Sequence, residues 1–339
     1  MKYRFYASGY ADPREEGLGL FELDTLQGFR RVAAWRGLAN PSYLLLHPRL
    51  SMLYAVEELT PEGRVRAWAA GEAPEQAACL PSRGADPCHL ALSEDGRALF
   101  AANYTSGSLT GWRLDENGAP AGLYDHIQYE GHGPNPARQE GPHIHFALAQ
   151  AGRLYVSDLG QDRIHVYDIL PEGLRPLAPI RLHAGCGPRH LAAHPAHPGF
   201  LYCVTELGNT VILLRQDEAG NFAPADSFST LPEGCGGPSA AAAIHFTADG
   251  RFLLASNRGH DSLAVFPVRP DGGLDAPVIS PCVAQPRDFM ICGEYVVVGS
   301  QRDSLIRAYR LEDDGRLRDT GWAVGAPKPV CFVSAGTAL

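Results

Sequence analysis

The segment 86–114, DPCHLALSEDGRALFAANYTSGSLTGWRL, contains three short apolar stretches that are separated by turns. The first stretch follows Pro87, and a short turn at Asp95-Gly96 connects it to the second stretch, residues 98–103. Gly107 then precedes a third stretch, which alternates between apolar and polar residues and ends at Leu114. Because alternation with a period of two is typical of β-strands, the segment predicts three successive strands.

The same two patterns recur along the whole chain with an uneven period of roughly 42–55 residues, the size of one four-stranded propeller blade. The opening pattern, usually headed by proline, occurs at residues 40–48, 86–93, 141–143, 187–190, 242–246, 285–289 and 328–333. The pattern of the third strand occurs at residues 17–23, 63–68, 107–114, 162–167, 209–214, 261–266 and 303–309. Seven copies of each pattern indicate seven blades.

The two ends of the chain complement each other. The seventh opening, residues 328–333, lies at the C-terminus, whereas residues 3–8 are typical of a second strand that has no first strand before it. Poorly patterned stretches such as residues 29–35 supply the fourth, outer strands, and no stretch shows sustained helical periodicity. The sequence therefore predicts one all-β domain over residues 1–339, a seven-bladed β-propeller of four-stranded blades. Its C-terminal inner strand would join three N-terminal outer strands and leave no open blade edge.

The amino-acid composition of the chain excludes some classes of binding partner and of structural framework. The formal net charge of −9 argues against non-specific binding to nucleic acid or to an anionic membrane. Residues 1–6 contain no apolar signal region, and no apolar run approaches eighteen residues. The eight cysteines include no C-x-x-C pair, which favours free thiols in a reducing cytoplasm over a disulfide framework or a zinc site. We therefore expect a soluble cytoplasmic protein.

The segment 132–146, HGPNPARQEGPHIHF, combines turn-forming residues with titratable side chains. Its first half is expected to form an ordered loop because proline and glycine disfavour helix and central strand. A strand then begins at His143, so that His143 and His145 would point to one face and Ile144 and Phe146 to the other. The alternative is that the histidines are satisfied polar residues and that Arg138 and Glu140 form a solvated ion pair.

Polar residues recur at matching positions of the repeat, at the heads of first strands and at the ends of second strands. Since the inner strands of a propeller converge on a central channel, these side chains are expected to meet in space. They are His89, His143, His145, Arg189, His190, His245 and Arg287 at the heads, and Asn103, Asp158, Glu206, Asn257 and Arg258 at the ends. As turn and channel residues they could instead hold structural water, but burying so much charge without a purpose is expensive.

These residues resemble the lactonase family of seven-bladed propellers, which includes the cycloisomerase-type 6-phosphogluconolactonases and carboxy-cis,cis-muconate lactonising enzyme. The resemblance rests on residues 132–136, 138–140, 142–145, 158–162, 187–190, 206–207, 256–259 and 285–287. It implies a seven-bladed fold and an active site that contains His145, with His143 beside it, together with Arg189, Glu206 and Arg258. Further candidates for substrate binding are His132, His143, Arg138, His190, Asp158, Asn257 and Arg287.

Opening a lactone requires a base that activates water, stabilisation of an oxyanion and a clamp for an anionic substrate group. Either His145 or Glu206 could be the base, and an unperturbed histidine is better matched to neutral pH. The arginines suit bidentate anion binding or oxyanion stabilisation, and no G-x-S-x-G motif indicates an acyl-serine mechanism. A metal site of His132, His143 and His145 is geometrically possible, but arginines would repel a cation. We therefore expect no metal and no cofactor.

Three functions remain open at this stage. The resemblance favours a hydrolase of a small anionic sugar lactone, above all a 6-phosphogluconolactonase of the pentose phosphate pathway. A muconate-type lactonising cycloisomerase would perform similar chemistry in reverse. A non-catalytic binding propeller is disfavoured because a binding platform needs no buried His/Arg/Glu cluster. The oligomeric state stays open between a monomer and a weak dimer.

Overall fold

The computed structural model describes residues 1–72 and 75–338, and the described residues form β-strands joined by turns and loops. No part of this described chain forms a helix long and apolar enough to cross a membrane. In chain order the strands are β1 (Lys2–Gly9), β2 (Leu18–Asp24), β3 (Gly28–Trp35), β4 (Leu44–Leu46), β5 (Met52–Glu57), β6 (Arg64–Ala69), β7 (Gln76–Pro81), β8 (Pro87–Leu92), β9 (Ala98–Asn103), β10 (Ser108–Leu114), β11 (Pro120–Gln128), β12 (Ile144–Gln150), β13 (Arg153–Asp158), β14 (Arg163–Leu170), β15 (Gly173–Pro176), β16 (Ile180–Arg181), β17 (Pro188–Ala193), β18 (Phe200–Thr205), β19 (Thr210–Gln216), β20 (Phe222–Ser229), β21 (Ala240–Phe246), β22 (Phe252–Arg258), β23 (Ser262–Pro267), β24 (Val278–Pro281), β25 (Pro286–Cys292), β26 (Tyr295–Ser300), β27 (Leu305–Leu311), β28 (Leu317–Gly325) and β29 (Pro329–Ala338).

The strands form seven antiparallel sheets, and each sheet is one blade of a propeller. From the channel outward, blade 1 is β29-β1-β2-β3, blade 2 is β4–β7 and blade 3 is β8–β11. Blade 4 is β12–β16, in which the short strands β15 and β16 share the outer position beside β14. Blades 5, 6 and 7 are β17–β20, β21–β24 and β25–β28. The predicted seven-bladed fold is confirmed.

The ring closes through blade 1, in which the C-terminal strand β29 pairs with the N-terminal strand β1. Phe5 lies opposite Ser334, and Ser8 lies opposite Cys331. Apolar side chains then bury the seam between blades 7 and 1, where Phe5 and Phe21 pack with Val297 of the neighbouring sheet. Fully burying such a side chain stabilises the fold by roughly 1.5–3 kcal/mol, so these contacts help to hold the ring closed. The predicted closure is confirmed.

A β-bulge marks the start of several inner strands and determines where their side chains point. The register of the first two strands shifts at Cys88 in blade 3, at His145 in blade 4 and at Arg189 in blade 5. A bulge places an extra residue on one strand and redirects its side chain, which is why bulges often occur beside active sites. The prediction that Phe146 faces away from His145 is wrong, since the bulge brings both rings close to His190.

Candidate active site

Glu206 is the centre of a charged cluster at one end of the propeller channel. It follows β18 directly, and only 6% of its side chain is exposed. Three arginines from different parts of the ring donate hydrogen bonds to its carboxylate: Arg189 Nε at 3.1 Å, Arg258 Nη2 at 2.6 Å and Arg138 Nη2 at 2.6 Å. One carboxylate therefore holds together side chains from blades 5 and 6 and from the loop before blade 4.

The arginines keep Glu206 ionised. Burial alone would raise its pKa, but the positive charges of Arg258 and Arg189 outweigh burial and hold the pKa well below its usual range. The hydrogen bond from Arg138 acts in the same direction. Because three guanidinium groups contact a single carboxylate, the cluster retains an excess of positive charge in a protein whose formal net charge is −9. Such a cluster can attract and bind an anion.

The three arginines differ in their access to solvent. The exposed fraction of the side chain is 2% for Arg189, 13% for Arg258 and 42% for Arg138. Within the described residues, the buried Nε of Arg258 has no hydrogen-bond partner, and it is therefore a free donor beside the carboxylate. Arg138 thus faces incoming molecules, whereas Arg189 forms the floor of the cluster.

His145 lies at the bulge of β12, beside the arginine cluster. Burial lowers the pKa of its imidazole well below the usual value, and the charge of Arg189 lowers it further. Its Nδ1 lies 3.8 Å from the Sγ of Cys88, and its ring makes an edge contact with Tyr104 at 5.5 Å. The imidazole is consequently neutral at neutral pH and carries a lone pair that can accept a proton.

Two further imidazoles lie deeper in the channel, and both are neutral. His190 Nε2 is 3.0 Å from Arg189 Nη1, which can only donate, so the His190 proton is on Nδ1. Burial and then Arg189 lower the pKa of His190 and also that of His89. The His89 ring packs between Tyr43 and Phe146 at centroid distances of 4.2 and 3.8 Å. Tyr43, Phe146 and His190 also line a cavity of about 250 Å³.

His143 precedes β12 and lies at the rim of the site. Its ring stacks on Tyr104 at 4.4 Å, and its Nδ1 donates to the Tyr104 carbonyl oxygen over 3.2 Å. Its Nε2 is 3.2 Å from Glu140, whose side chain is 61% exposed. Glu140 therefore pairs with His143, and Arg138 pairs with Glu206, so the alternative of a solvated Arg138–Glu140 pair is not what the structure forms.

Arg287 enters the same region from blade 7 but does not contact Glu206. Its guanidinium carbon lies 5.5 Å from the ring centre of Tyr10, and the Tyr10 hydroxyl donates to Glu58 over 3.1 Å. The charge of Arg287 nevertheless contributes to lowering the pKa of Arg189, after burial and Arg258. It therefore adds to the positive field of the cluster.

Three predicted substrate-binding residues lie outside the cluster. Asp158 accepts hydrogen bonds from the backbone nitrogens of His143 and Gly160 and from Gln161 Nε2, at 2.8–3.0 Å. Asn257 donates to the carbonyl oxygen of Thr230 over 2.8 Å, and it is fully buried. Asp158 thereby holds the backbone at His143, whereas Asn257 fixes the end of β22 next to Arg258. His132 is exposed and lines a separate cavity, because its loop turns away from Glu206.

The family of the chain follows from comparison with known proteins. A family model described as lactonase, 7-bladed beta-propeller, matches residues 4–334. The chain is a member of this lactonase family. The family resemblance of the motifs is thereby confirmed.

The relatives of this chain include a 6-phosphogluconolactonase and a gluconolactonase. The 6-phosphogluconolactonase of Bacillus subtilis is 32% identical over 342 residues, which cover 97% of each chain. The solved periplasmic gluconolactonase of Pseudomonas aeruginosa is 26% identical with a TM-score of 0.93 and covers 100% of both chains. A solved protein of Lactobacillus plantarum is 30% identical with a TM-score of 0.91 and covers 99% of this lactonase chain and 100% of its own.

Two residues of the cluster were missed by the sequence reasoning. Cys88 occupies the bulge position that His145 and Arg189 occupy in their blades, but it looked like an ordinary apolar residue. Tyr104 follows its second strand as Glu206 follows β18, and it contacts both Arg138 and His143. Comparing equivalent positions of all blades would have found both residues.

Proposed function

We propose that this protein is a lactone hydrolase whose substrate is an anionic sugar lactone, 6-phospho-D-glucono-1,5-lactone. The observation that carries the proposal is the group of three guanidiniums around the buried Glu206, beside the neutral imidazole of His145. The name of the Bacillus subtilis relative supports the phosphorylated substrate, and the cluster's positive charge supports an anionic one.

In the proposed reaction His145 is the general base. It removes a proton from a water molecule while the water oxygen bonds to the lactone carbonyl carbon. The carbonyl oxygen becomes an oxyanion, which the positive charge of the Arg258 guanidinium stabilises. The ring C–O bond then breaks, the proton returns to the departing oxygen, and the product is a hydroxy acid. At neutral pH the new carboxyl group releases its proton to solvent.

Glu206 has a positioning role in this proposal rather than the role of base. Both of its carboxylate oxygens accept hydrogen bonds from guanidiniums, which disfavours uptake of a proton from water and fixes the three arginines relative to one another. Arg138 is the clamp for the anionic substrate group because it is the most exposed of the three. A guanidinium can bind a phosphate through two parallel hydrogen bonds.

A lactone panel tests the proposed function. Hydrolysis of 6-phosphogluconolactone, glucono-1,5-lactone and a neutral δ-lactone would be followed by proton release, corrected for spontaneous hydrolysis. We expect the highest kcat/KM for the phosphorylated lactone and at least a tenfold lower value for gluconolactone. Equal rates for all three would contradict the anion clamp, and rates no higher than background for all three would contradict the hydrolase function.

We also propose a cytoplasmic location. All eight cysteines are free thiols, which suits a reducing compartment. Because the Pseudomonas aeruginosa relative is described as periplasmic, fractionation of the source cells is the direct test. Recovery of the protein with periplasmic markers would contradict this placement.

A further inference from the structure

A cavity of about 330 Å³ lies beside the active-site loop and shares no lining residue with the Glu206 cluster. One wall is the start of the active-site loop, with His132 and Pro134, and the other consists of blade 4 residues around Arg163 and Arg181. His132, which was expected to bind substrate, lines this cavity instead.

Arg163 and Arg181 lie directly opposite each other on paired strands. Arg163 opens β14 and Arg181 ends β16, and the two are register partners. Side chains at such positions are close neighbours, so two like charges destabilise the pair. Neither guanidinium makes a hydrogen bond or an ion pair with any residue that the structure describes. In the same blade, by contrast, Arg175 is paired with Asp168 at 2.7 Å.

Two carboxylates lie near this pair, and other donors hydrogen-bond to both: Asp158, which lies opposite Arg163 on β13, and Asp162 in the cavity wall. Asp162 Oδ1 accepts hydrogen bonds from Gln139 Nε2 and the Gly187 nitrogen, both at 2.8 Å. Its Oδ2 accepts a bond of 2.6 Å from the Gly185 nitrogen. His132 donates from Nδ1 to the Gly133 carbonyl over 3.0 Å, so its Nε2 can donate to an anion only when the imidazole is protonated.

We propose that this cavity is a second anion-binding site, whose ligand is phosphate or a phosphomonoester of a small metabolite. Arg163 and Arg181 are the ligating groups, and His132 lies at the opposite wall. Arginine is suited to this role because its planar fork of donors matches the oxygens of a phosphate group. A bound dianion would convert the like-charge repulsion between the two arginines into attraction.

The cavity is connected to the active site through Asp162. The Gln139 side chain that bonds to Asp162 follows Arg138 in the chain, and Gly187 precedes β17, which carries Arg189. A ligand that contacts the cavity wall therefore acts on the two loops that position these arginines. The proposal does not depend on the substrate of the active site, since its evidence is the unneutralised arginine pair.

Calorimetric titration with inorganic phosphate and with glucose 6-phosphate, at constant ionic strength, tests the site. The wild-type protein is expected to bind at two classes of site. The Arg163→Gln/Arg181→Gln double variant should weaken one class by about tenfold or more, whereas Arg138→Gln should weaken the other. Arg83→Gln, at an exposed arginine that makes no ion pair in the described chain, is the matched control and should leave both unchanged.

The titration distinguishes the possible results. Tighter binding of glucose 6-phosphate identifies a phosphomonoester ligand, tighter binding of inorganic phosphate identifies free phosphate, and either result supports the site. The proposal is overturned if the double variant binds both probes as the wild type does. Because this is a binding measurement, failure of the lactonase panel would not affect it.

A charge-reversal variant keeps the test valid if the double variant is unstable. Arg181→Glu places opposite charges on the paired strands and leaves Asp158 opposite Arg163, so the unliganded protein should melt at the wild-type temperature or above it. Phosphate should raise the melting temperature of the wild type by mass action but raise that of Arg181→Glu less. An equal rise in both proteins would overturn the proposal.

Discussion

Nε of Arg189 lies 3.1 Å from Oε2 of Glu206, and both residues belong to blade 5. Their contact is set locally, because Pro188 and Thr205 are register partners on the paired strands β17 and β18. Arg258 and Arg138, by contrast, reach Glu206 from blade 6 and from the loop before blade 4. The complete cluster therefore forms only when neighbouring blades are correctly packed, which links the activity to the integrity of the ring.

The Glu206→Gln variant should lose stability at neutral pH. It leaves buried guanidiniums without their counter-ion, and breaking a buried ion pair costs about 3 kcal/mol or more. The folded pKa of Glu206 lies below its unfolded value near 4.5, so its stabilisation is present above that value and is lost as pH falls through the folded pKa. The difference in melting temperature between the variant and the wild type should therefore stay constant from pH 7 to about pH 5 and narrow as the pH falls below about 4.5. A difference that stays constant down to about pH 3 would contradict the assignment.

The catalytic assignments predict large losses of kcat. His145→Ala and Glu206→Gln should each lower kcat by about 10²-fold or more, the first by removing the base and the second by releasing the arginines. Because the pKa of His145 is lowered, the acid limb of the wild-type pH–rate profile should lie well below pH 6.5. Circular dichroism checks that both variants are folded at the assay temperature. Activity within a few-fold of wild type in both would mean that the cluster is structural.

The anion clamp predicts a loss that depends on substrate charge. Arg138→Gln should raise KM for the phosphorylated lactone by a factor that corresponds to about 1.5–3 kcal/mol and should hardly change KM for gluconolactone. Lysine should restore only part of the loss because it cannot reproduce the planar fork. Arg318→Gln, at an exposed arginine of β28, is the matched control. An equal fall in kcat for both lactones in Arg138→Gln would instead make Arg138 an oxyanion stabiliser.

The blade count was predictable because each blade carries its own turns and its own alternating strand. The meeting of His145, Arg189, Glu206 and Arg258 was predictable because these residues occupy equivalent repeat positions or belong to motifs shared with the family. The partners of Arg138 were not predictable. Neighbours in sequence suggested Glu140, but the loop is shaped by long-range contacts, such as that of Gln139 with Asp162 at 2.8 Å.

The bulges were likewise hidden in the sequence. Simple alternation placed His145 and Phe146 on opposite faces, whereas one extra residue in β12 brings both towards the channel. The same backbone feature places Cys88 next to His145. Bulges depend on pairing with a second strand, so a pattern read along a single strand does not contain them.

Removal of divalent metals should leave the activity unchanged. Three guanidiniums around Glu206 make the cluster unfavourable for a cation, and the proposed reaction uses only protein side chains and water. The measurement is lactone hydrolysis before and after dialysis against EDTA, with metal content checked by mass spectrometry. Loss of activity that added Zn²⁺, Mn²⁺ or Ca²⁺ restores would identify a metal site and contradict this expectation.

Deletion of residues 328–339 should destabilise the whole ring. The deletion removes β29, which is the inner strand of blade 1 and carries the buried Val330 and Cys331. The edge of β1 would be left unpaired, and Leu44 of blade 2 would lose its contact with the Cys331 sulfur, at 3.2 Å from the Leu44 nitrogen. We expect the melting temperature to fall by more than about 10 °C and activity to fall with it, because the Glu206 cluster depends on blade packing. Adding a synthetic peptide of residues 328–339 should restore part of both. A truncated protein that melts within a few degrees of the full-length chain would show that β29 is dispensable for closure.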